Sequence, residues 1–333
     1  MLKVNHIVST SLNPYHNLAL EETLLDSIEE DQCILFLWQN RNTVVVGKNQ
    51  NAFLECRIDE LEMNNGFLAR RMSGGGTVYH DKGNLNFTFI ATKKNYSVDK
   101  QLNVILRALD EMGINGEKAG RNDLVIQGKK FSGNAFYEKG GKCFHHGTLL
   151  VDVSLGDMGK YLSVSNDKLE SKGVKSVQSR VANLKEFNEE INIDKLKSIL
   201  VTSYSKEYGT NSKEIFEDDL DIEKILDLTR KYKSNEWKFG KIIDFQREIS
   251  ERFPWGGINL RIKCKGNEID EVQIFSDSLE YELFDDMANI LSGTKFSKLS
   301  LETSLNSMRK NLSVEKDIIL KDIINLISNS FEV

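Results

Sequence analysis

Short apolar runs crowd the first half of the chain, and their grouping constrains the fold more than any other feature. Residues 34–38 and 43–47 stand on either side of the turn-like Gln39-Asn40-Arg41-Asn42 and read as adjacent strands. Residues 67–71 form a third candidate, running into Gly74-Gly75-Gly76. Leu85, Phe87 and Phe89 then alternate with Asn86 and Thr88, the period of a half-buried strand. Further strands are expected at 124–126, 129–135 and 147–153. Helical spacing intervenes at 18–28, an expected amphipathic helix, and at 98–112, through Val98, Leu102, Ile105, Leu106, Leu109 and Met112. Strands that arrive in groups, rather than one after each helix, predict an α+β fold with mixed or antiparallel sheets instead of a doubly wound parallel sheet.

Beyond residue 190 the character changes. An acidic, helical-looking stretch at 214–231 leads to Trp237-Lys238-Phe239-Gly240. Residues 257–264 and 268–275 flank Lys265-Gly266-Asn267, a hairpin signal, and helical patterns such as 317–327 fill the remainder. The expected division is a large domain at 1–248 and a small α/β domain at 249–333. A net charge of −6 carries no footprint of nucleic-acid binding. No apolar stretch approaches the roughly 20 residues that cross a bilayer, and the first ten residues lack a signal-peptide layout. Cys33, Cys56, Cys143 and Cys264 are scattered without a CxxC pair, against a zinc or disulfide framework. A cytoplasmic monomer without nucleic-acid or membrane partners is expected.

The most informative segment is Arg70-Arg71-Met72-Ser73-Gly74-Gly75-Gly76-Thr77-Val78-Tyr79-His80-Asp81. Consecutive glycines allow positive φ and close approach to a ligand, and their N–H groups can converge on a phosphate or carboxylate. The arginine pair adds fork-shaped donors suited to phosphate. A flexible connection between two strands is the alternative reading. The spacing matches neither the dinucleotide fingerprint nor the P-loop.

A second segment is Gly120-Arg121-Asn122-Asp123, followed by Gly128-Lys129-Lys130-Phe131-Ser132-Gly133-Asn134-Ala135. In a regular strand Lys130, Ser132 and Asn134 share one face, and Phe131 and Ala135 the other. A lysine there could neutralise a carboxylate and an α-phosphate as they react; a solvated edge strand is the alternative. Asp123 could hold a magnesium ion or act as a turn residue. His145 and His146, as strand neighbours, point to opposite faces and cannot easily share one metal ion; no metal site is assigned. Cys143 is expected to be a small buried side chain.

Taken together, these segments resemble the lipoate–protein ligase family. Arg70 to Asp81, Gly83-Asn84-Leu85-Asn86-Phe87, residues 120–124, 129–135 and 145–150 look like its successive motifs. Lys172-Gly173-Val174-Lys175-Ser176-Val177 through Arg180-Val181-Ala182-Asn183-Leu184 resembles another, and Phe253-Pro254-Trp255-Gly256-Gly257 with Phe275-Ser276-Asp277-Ser278-Leu279 looks like the accessory domain of the longer members. The resemblance implies a large α+β catalytic domain related to biotin ligases and a small C-terminal accessory domain. It implies ATP contacts at Arg71, Gly76, Thr77, Val78, Tyr79 and Lys130, and lipoate contacts at Gly75, Gly76, His80 and Lys130. Asp123 and Asn84 are candidates for Mg²⁺ or phosphate, and Lys130 for catalysis. Leu85 and Phe87 are candidates to line an acyl tunnel.

The implied reaction activates lipoate with ATP as lipoyl-AMP. It then transfers the acyl group to a lysine of the glycine-cleavage H protein or a 2-oxoacid dehydrogenase E2 lipoyl domain. A transferase on the same fold, needing no ATP, is one rival, but residues 120–126 lack the cysteine some such relatives use. A non-catalytic acyl- or lipoyl-domain-binding protein is another, and would not need both Arg71 and Lys130. Lys168, Lys172, Lys175 and Arg180 form a basic run that could meet an acidic acceptor.

Overall fold

The computed structural model describes residues 2–120, 122–163, 181–310 and 312–331; Arg121 and the basic run Lys168, Lys172, Lys175 and Arg180 lie outside the described residues. Contacts divide the chain into two compact units. One comprises Met1–Val45, Phe53–Arg71 and Val78–Lys238, the other Val46–Ala52, Met72–Thr77 and Phe239–Val333.

The first unit is built on a mixed sheet of eight strands. In chain order these are β1 (Lys3–Val8), β2 (Gln32–Trp38), β6 (Asn84–Thr92), β7 (Glu117–Ala119), β8 (Asp123–Ile126), β9 (Lys129–Lys139), β10 (Lys142–Leu150) and β11 (Lys213–Glu214). Their spatial order is β11-β1-β2-β6-β10-β9-β8-β7. The pairs of β1 with β2 and β11 are parallel, and the others are antiparallel. Three shorter strands, β3 (Thr43–Val46), β4 (Phe67–Arg70) and β5 (Val78–His80), form a second sheet in the order β4-β3-β5. The sequence-based expectation of α+β holds, with groups of strands separated by helices.

Helix α1 (Pro14–Ser27) starts where Asn13 accepts from the Tyr15 N–H and Pro14 presets the first turn. It packs on β6 and β10 and is covered in turn by α4 (Ile222–Lys233). Being covered on two sides, α1 is not the simple amphipathic helix its spacing suggests: Asn17, Glu21 and Thr23 are buried along with Leu18, Leu20, Leu24 and Leu25. The opposite face of the sheet is closed by α2 (Val98–Asp110) and α3 (Ile193–Tyr208). Leu35, Leu37, Leu85, Phe87, Phe89, Phe131 and Leu149 meet Val104, Ile105, Leu196 and Leu200 there in one core.

Three expectations need correction. β6 is buried on both faces, because α1 covers the polar side that alternation alone leaves open to solvent. The strand expected at 147–153 is β10, which begins at Lys142 and pairs with β6 along its whole length. The helix expected at 214–231 starts only at Ile222, where Asp221 caps it.

In the second unit β12 (Arg247–Phe253), β13 (Gly256–Lys265) and β14 (Glu268–Ser276) form an antiparallel meander. The turn expected at Lys265-Gly266-Asn267 joins the last two, with Gly266 at φ +64. Helices α5 (Tyr281–Leu291), α6 (Lys298–Ser307) and α7 (Val314–Asn329) complete its core through Phe284, Met287, Leu301, Leu320 and Ile323. Among the described residues, no helix is long and apolar enough to cross a membrane.

Candidate active site

The face of the large sheet under α1 is polar and nonetheless buried. Asn84, Asn86 and Thr88 project from β6 on this side, while Leu85, Phe87 and Phe89 enter the α2–α3 core. Leu85 and Phe87, the expected tunnel lining, are thus side chains of that core. Trp38 donates its Nε1–H to Thr88 Oγ1 at 3.0 Å, and the Thr88 hydroxyl donates to Glu21 Oε1 at 2.7 Å. His146 Nδ1 approaches the same carboxylate oxygen at 2.9 Å. Asn84 Nδ2 donates to Asn86 Oδ1 at 2.9 Å. Buried polar atoms normally find partners. Among the described residues, Glu21 Oε2, Asn84 Oδ1, Asn86 Nδ2 and His80 Nε2 find none in the protein.

His80 belongs to the same neighbourhood. Its ring lies edge-on to Trp38 at 6.1 Å, and burial beside Arg71 and His146 pushes its pKa down to about 3. Asn17 Nδ2 donates to Asn40 Oδ1 at 3.0 Å, which leaves Asn40 Nδ2 to donate to His80 Nδ1 at 3.1 Å. A neutral ring that accepts at Nδ1 carries its proton on Nε2, so the unpartnered atom is a buried donor.

Lys130 reaches this polar face through an irregularity. Asp123 pairs with Gly133 and Leu124 with Ser132, but Val125 pairs with Lys130, leaving Phe131 as the extra residue of a β-bulge. The expectation that Lys130 shares a face with Ser132 and Asn134 therefore fails. Phe131 enters the α2–α3 core, whereas the Lys130 ammonium lies 2.9 Å from where a Cβ on Gly133 would stand. Its Nζ is 2.7 Å from Asp123 Oδ1. Gly133 N–H donates to Thr148 Oγ1 at 3.3 Å, and Thr148 stands opposite Asn86 on β6. Lys130, Asp123, Asn84 and Asn86 thus occupy one face.

The arginine pair divides its labour. Arg70 is buried and donates through Nε and Nη2 to the Lys238 carbonyl at 2.9 and 2.6 Å, and through Nε to the Trp237 carbonyl at 3.1 Å. Trp237 returns an indole N–H to the Arg70 carbonyl at 2.9 Å. This arginine ties β4 to the short helix Asn235–Phe239 and is structural. Arg71 donates to the Val45 carbonyl at 3.2 Å; burial lowers its pKa to about 10, and the Glu21 carboxylate opposes that shift.

The glycine run belongs to the second unit. Only Gly75 has positive φ, +87, and it donates its N–H to the Ser278 carbonyl at 2.9 Å. A Cβ on Gly74 would stand 2.6 Å from that same carbonyl oxygen, while one on Gly76 would meet nothing within 4 Å. Two of the three glycines thus serve the chain's own packing, and Gly76 alone leaves open space. Thr77 donates to Gln50 Oε1 at 2.8 Å. On β5, Val78 is half-buried; Tyr79 is buried, its hydroxyl donating to Asn42 Oδ1 at 3.2 Å and its ring 5.7 Å from Tyr161. Any ligand contact by Tyr79 falls to its backbone.

His145 and His146 do project to opposite faces: the first meets Gln101 on α2, the second Glu21 on α1. Cys143 is buried, and burial pushes its thiol pKa up to about 11, which leaves it a poor nucleophile. Glu21, Trp38, Thr88 and His146 were not foreseen as site residues. The signal for Glu21 was available: Asn17 and Glu21 stand one helical turn apart on a face that continues into Leu24 and Leu25.

Comparison with known proteins agrees with this architecture. Residues 13–205 match the model of the lipoyl protein ligase A/B catalytic domain, and residues 243–327 that of the bacterial lipoate protein ligase C-terminus. A lipoate-protein ligase A from Psychrobacter cryohalolentis is 39% identical over 317 residues, covering 93% of this chain and 94% of the relative. One from Bdellovibrio bacteriovorus is 36% identical over 316 residues, with 93% of each covered. Among solved structures, P. falciparum LipL1 in complex with lipoate superposes with a TM-score of 0.85 at 28% identity, over 98% of this chain and 99% of that one. A bipartite lipoate protein ligase from Thermoplasma acidophilum, described with its E2 lipoyl domain, gives a TM-score of 0.64 at 26% identity, over 74% of this chain and 100% of that one. By two family models that span most of its length and by close full-length relatives, the chain belongs to the lipoate–protein ligase family.

Proposed function

We propose that the protein activates lipoate with ATP as lipoyl-AMP and transfers the acyl group to a lysine of an acceptor protein. The observation that carries this reading is the Lys130 ammonium, turned by the Phe131 bulge onto the same face as buried, unpartnered polar atoms. A cation on the same buried polar face suits a reaction between two anions, whose repulsion it offsets as the bond forms.

In the first half-reaction a lipoate carboxylate oxygen attacks the α-phosphorus of ATP. A P–O bond forms to the acyl oxygen, the α–β bridge breaks, and pyrophosphate leaves with the electron pair. Lys130 meets both the carboxylate and the α-phosphate. Arg71, Gly76, Thr77 and the backbone of Val78 and Tyr79 hold the nucleotide; Gly75, Gly76 and the His80 Nε2–H hold lipoate. In the second half-reaction the amine of an acceptor lysine attacks the acyl carbonyl, AMP leaves, and the amine's proton passes to solvent. The acceptor is a lipoyl domain of a 2-oxoacid dehydrogenase or the glycine-cleavage H protein.

Asn84 Oδ1, buried and without a protein partner among the described residues, and the Asp123 carboxylate are hard oxygen donors of the kind magnesium takes. Such an ion, when bound, would neutralise phosphate charge. Residues 1–248 would carry both half-reactions, with 249–333 as an accessory domain. A cytoplasmic monomer fits this role.

The test is pyrophosphate release from ATP and Mg²⁺, with and without lipoate, in the absence of acceptor. Lipoate-dependent release is expected. Transfer from synthetic lipoyl-AMP without such release would sink the adenylation step and leave a transferase.

A further inference from the structure

His145 is a buried titratable group for which the reaction above has no use. Its ring sits 4.9 Å from Phe136, 5.4 Å from Phe87 and 6.0 Å from Phe89. An imidazole in such an apolar box is costly unless both nitrogens are bonded. Nε2 lies 2.8 Å from Asn134 Oδ1, and Nδ1 3.1 Å from the Gln101 carboxamide.

Asn134 is itself fixed by three bonds to one residue. Its N–H donates to the Asn122 carbonyl at 2.8 Å and its Nδ2 to the same oxygen at 2.9 Å, while Asn122 Nδ2 donates to the Asn134 carbonyl at 2.9 Å. Because the Asn134 amide nitrogen is committed to a carbonyl, the atom facing His145 is an oxygen and can only accept. Nε2 must then carry the proton. Burial pushes the ring's pKa down to about 3, so the ring is neutral and Nδ1 accepts. The Gln101 amide serves it when turned with its nitrogen toward the ring, which also gives Gln101 Nε2 the partner it otherwise lacks. A side chain on Gly147 would come within 2.7 Å of Asn134 Oδ1 and 2.5 Å of Phe87, so the absent side chain is what leaves room for the His145–Asn134 bond.

Asn122 immediately precedes Asp123, whose carboxylate meets Lys130 Nζ at 2.7 Å. We propose that His145, as its Nε2–H tautomer, is a positioning residue for Lys130: through Asn134 it fixes the Asn122–Asp123 turn, and Asp123 holds the ammonium over Gly133. The chain Gln101–His145–Asn134–Asn122 thereby runs from the helix-covered core to the opposite face of the sheet. The inference rests on Lys130 being the group that meets carboxylate and phosphate. Small displacements of such a group cost up to about 10²-fold in rate.

Nitrogen-15 histidine spectra of the wild-type protein between pH 6 and 8 should show His145 as a neutral Nε2–H ring; an Nδ1–H ring or an imidazolium overturns the proposal. Two variants complete the test. His145→Phe suits the aromatic box but removes the donor, and His145→Gln keeps an N–H. Lipoate-dependent pyrophosphate release should lose about 10-fold or more in kcat in His145→Phe, with KM for ATP little changed, and recover to within about 3-fold of wild type in His145→Gln. The rate at which acetic anhydride modifies Lys130 at one fixed pH, read by peptide mass spectrometry, should change in His145→Phe and return in His145→Gln. Wild-type kcat and Lys130 reactivity in His145→Phe would overturn the inference, as would equal impairment of two folded variants. If neither variant folds, the wild-type tautomer decides. Lys130 labelling needs no substrate, so a wild-type protein that releases no pyrophosphate would sink the functional reading without deciding this one.

Discussion

The amide of Gly75 donates to the carbonyl of Ser278 across 2.9 Å, so the glycine loop is fastened to the turn that follows β14. Gly74 lies against the same carbonyl, where a Cβ would stand 2.6 Å from oxygen, and Gly76 faces open space. Gly74→Ala should therefore lower the thermal midpoint and the rate of lipoate-dependent pyrophosphate release together. Gly76→Ala should keep the midpoint and raise KM for ATP. Unchanged ATP kinetics in Gly76→Ala would remove this loop from the nucleotide site.

Arg70 and Arg71 should separate cleanly. Arg70→Ala removes charged donors from the Trp237 and Lys238 carbonyls, a loss of about 1.5–3 kcal/mol readable as a lower denaturant midpoint. The folded fraction should keep its kinetics. Arg71→Lys, which loses the fork of donors but keeps the charge, should weaken ATP binding. Isothermal titration with ATP distinguishes the two; equal effects on binding would place both guanidinium groups at the nucleotide.

Lys130→Ala should lower lipoate-dependent pyrophosphate release by about 10²–10³-fold, the usual consequence of removing a preorganised charge from a reacting centre. Gly133→Ala should cost about 10-fold while leaving Lys130 in the chain, because the new methyl would stand 2.9 Å from the ammonium and displace it. Single-turnover kinetics would show the loss in the chemical step. A Gly133→Ala enzyme as fast as wild type would mean that the ammonium works from elsewhere.

Acid should unfold the protein through its histidines. His80 and His145 have folded pKa values near 3 because burial disfavours the charged ring, against 6.5 in the unfolded chain. Below pH 6.5 the unfolded state therefore binds protons that the folded state refuses. The stability these rings provide is complete above pH 6.5, falls as pH drops, and stops falling near pH 3. At pH 5 each ring accounts for about 2 kcal/mol of lost stability relative to neutrality. Urea titrations at pH 7 and pH 5 check this; His80→Gln should halve the slope between them, and an unchanged slope would show that His80 is protonated in the fold.

The grouping of strands, the Lys265-Gly266-Asn267 turn and the opposite facing of His145 and His146 were legible because each depends on local chemistry or period. The sequence marks a set of candidate residues and misplaces part of their geometry. Alternation in β6 marks Asn86 and Thr88 as solvent-facing, since nothing in that segment announces that α1 lies over them. Two adjacent arginines look equivalent until Trp237 and Lys238, distant in sequence, claim the first. Lys130 appears to share a face with Ser132, because the register of β9 is set by its partner β8, which no reading of β9 alone contains.

That register makes the bulge a chemical variable. An even register over the same residues would leave a lysine, a serine and an asparagine in recognisable order. Without the bulge Phe131 would stand opposite Val125 and Lys130 opposite Ile126, which would turn the lysine toward the leucine- and phenylalanine-filled side of the sheet. A chain altered in this way would keep the look of the motif and lose its chemistry. The extra residue between Lys130 and Ser132 is therefore a sharper mark of competence than the order of lysine, serine and asparagine alone.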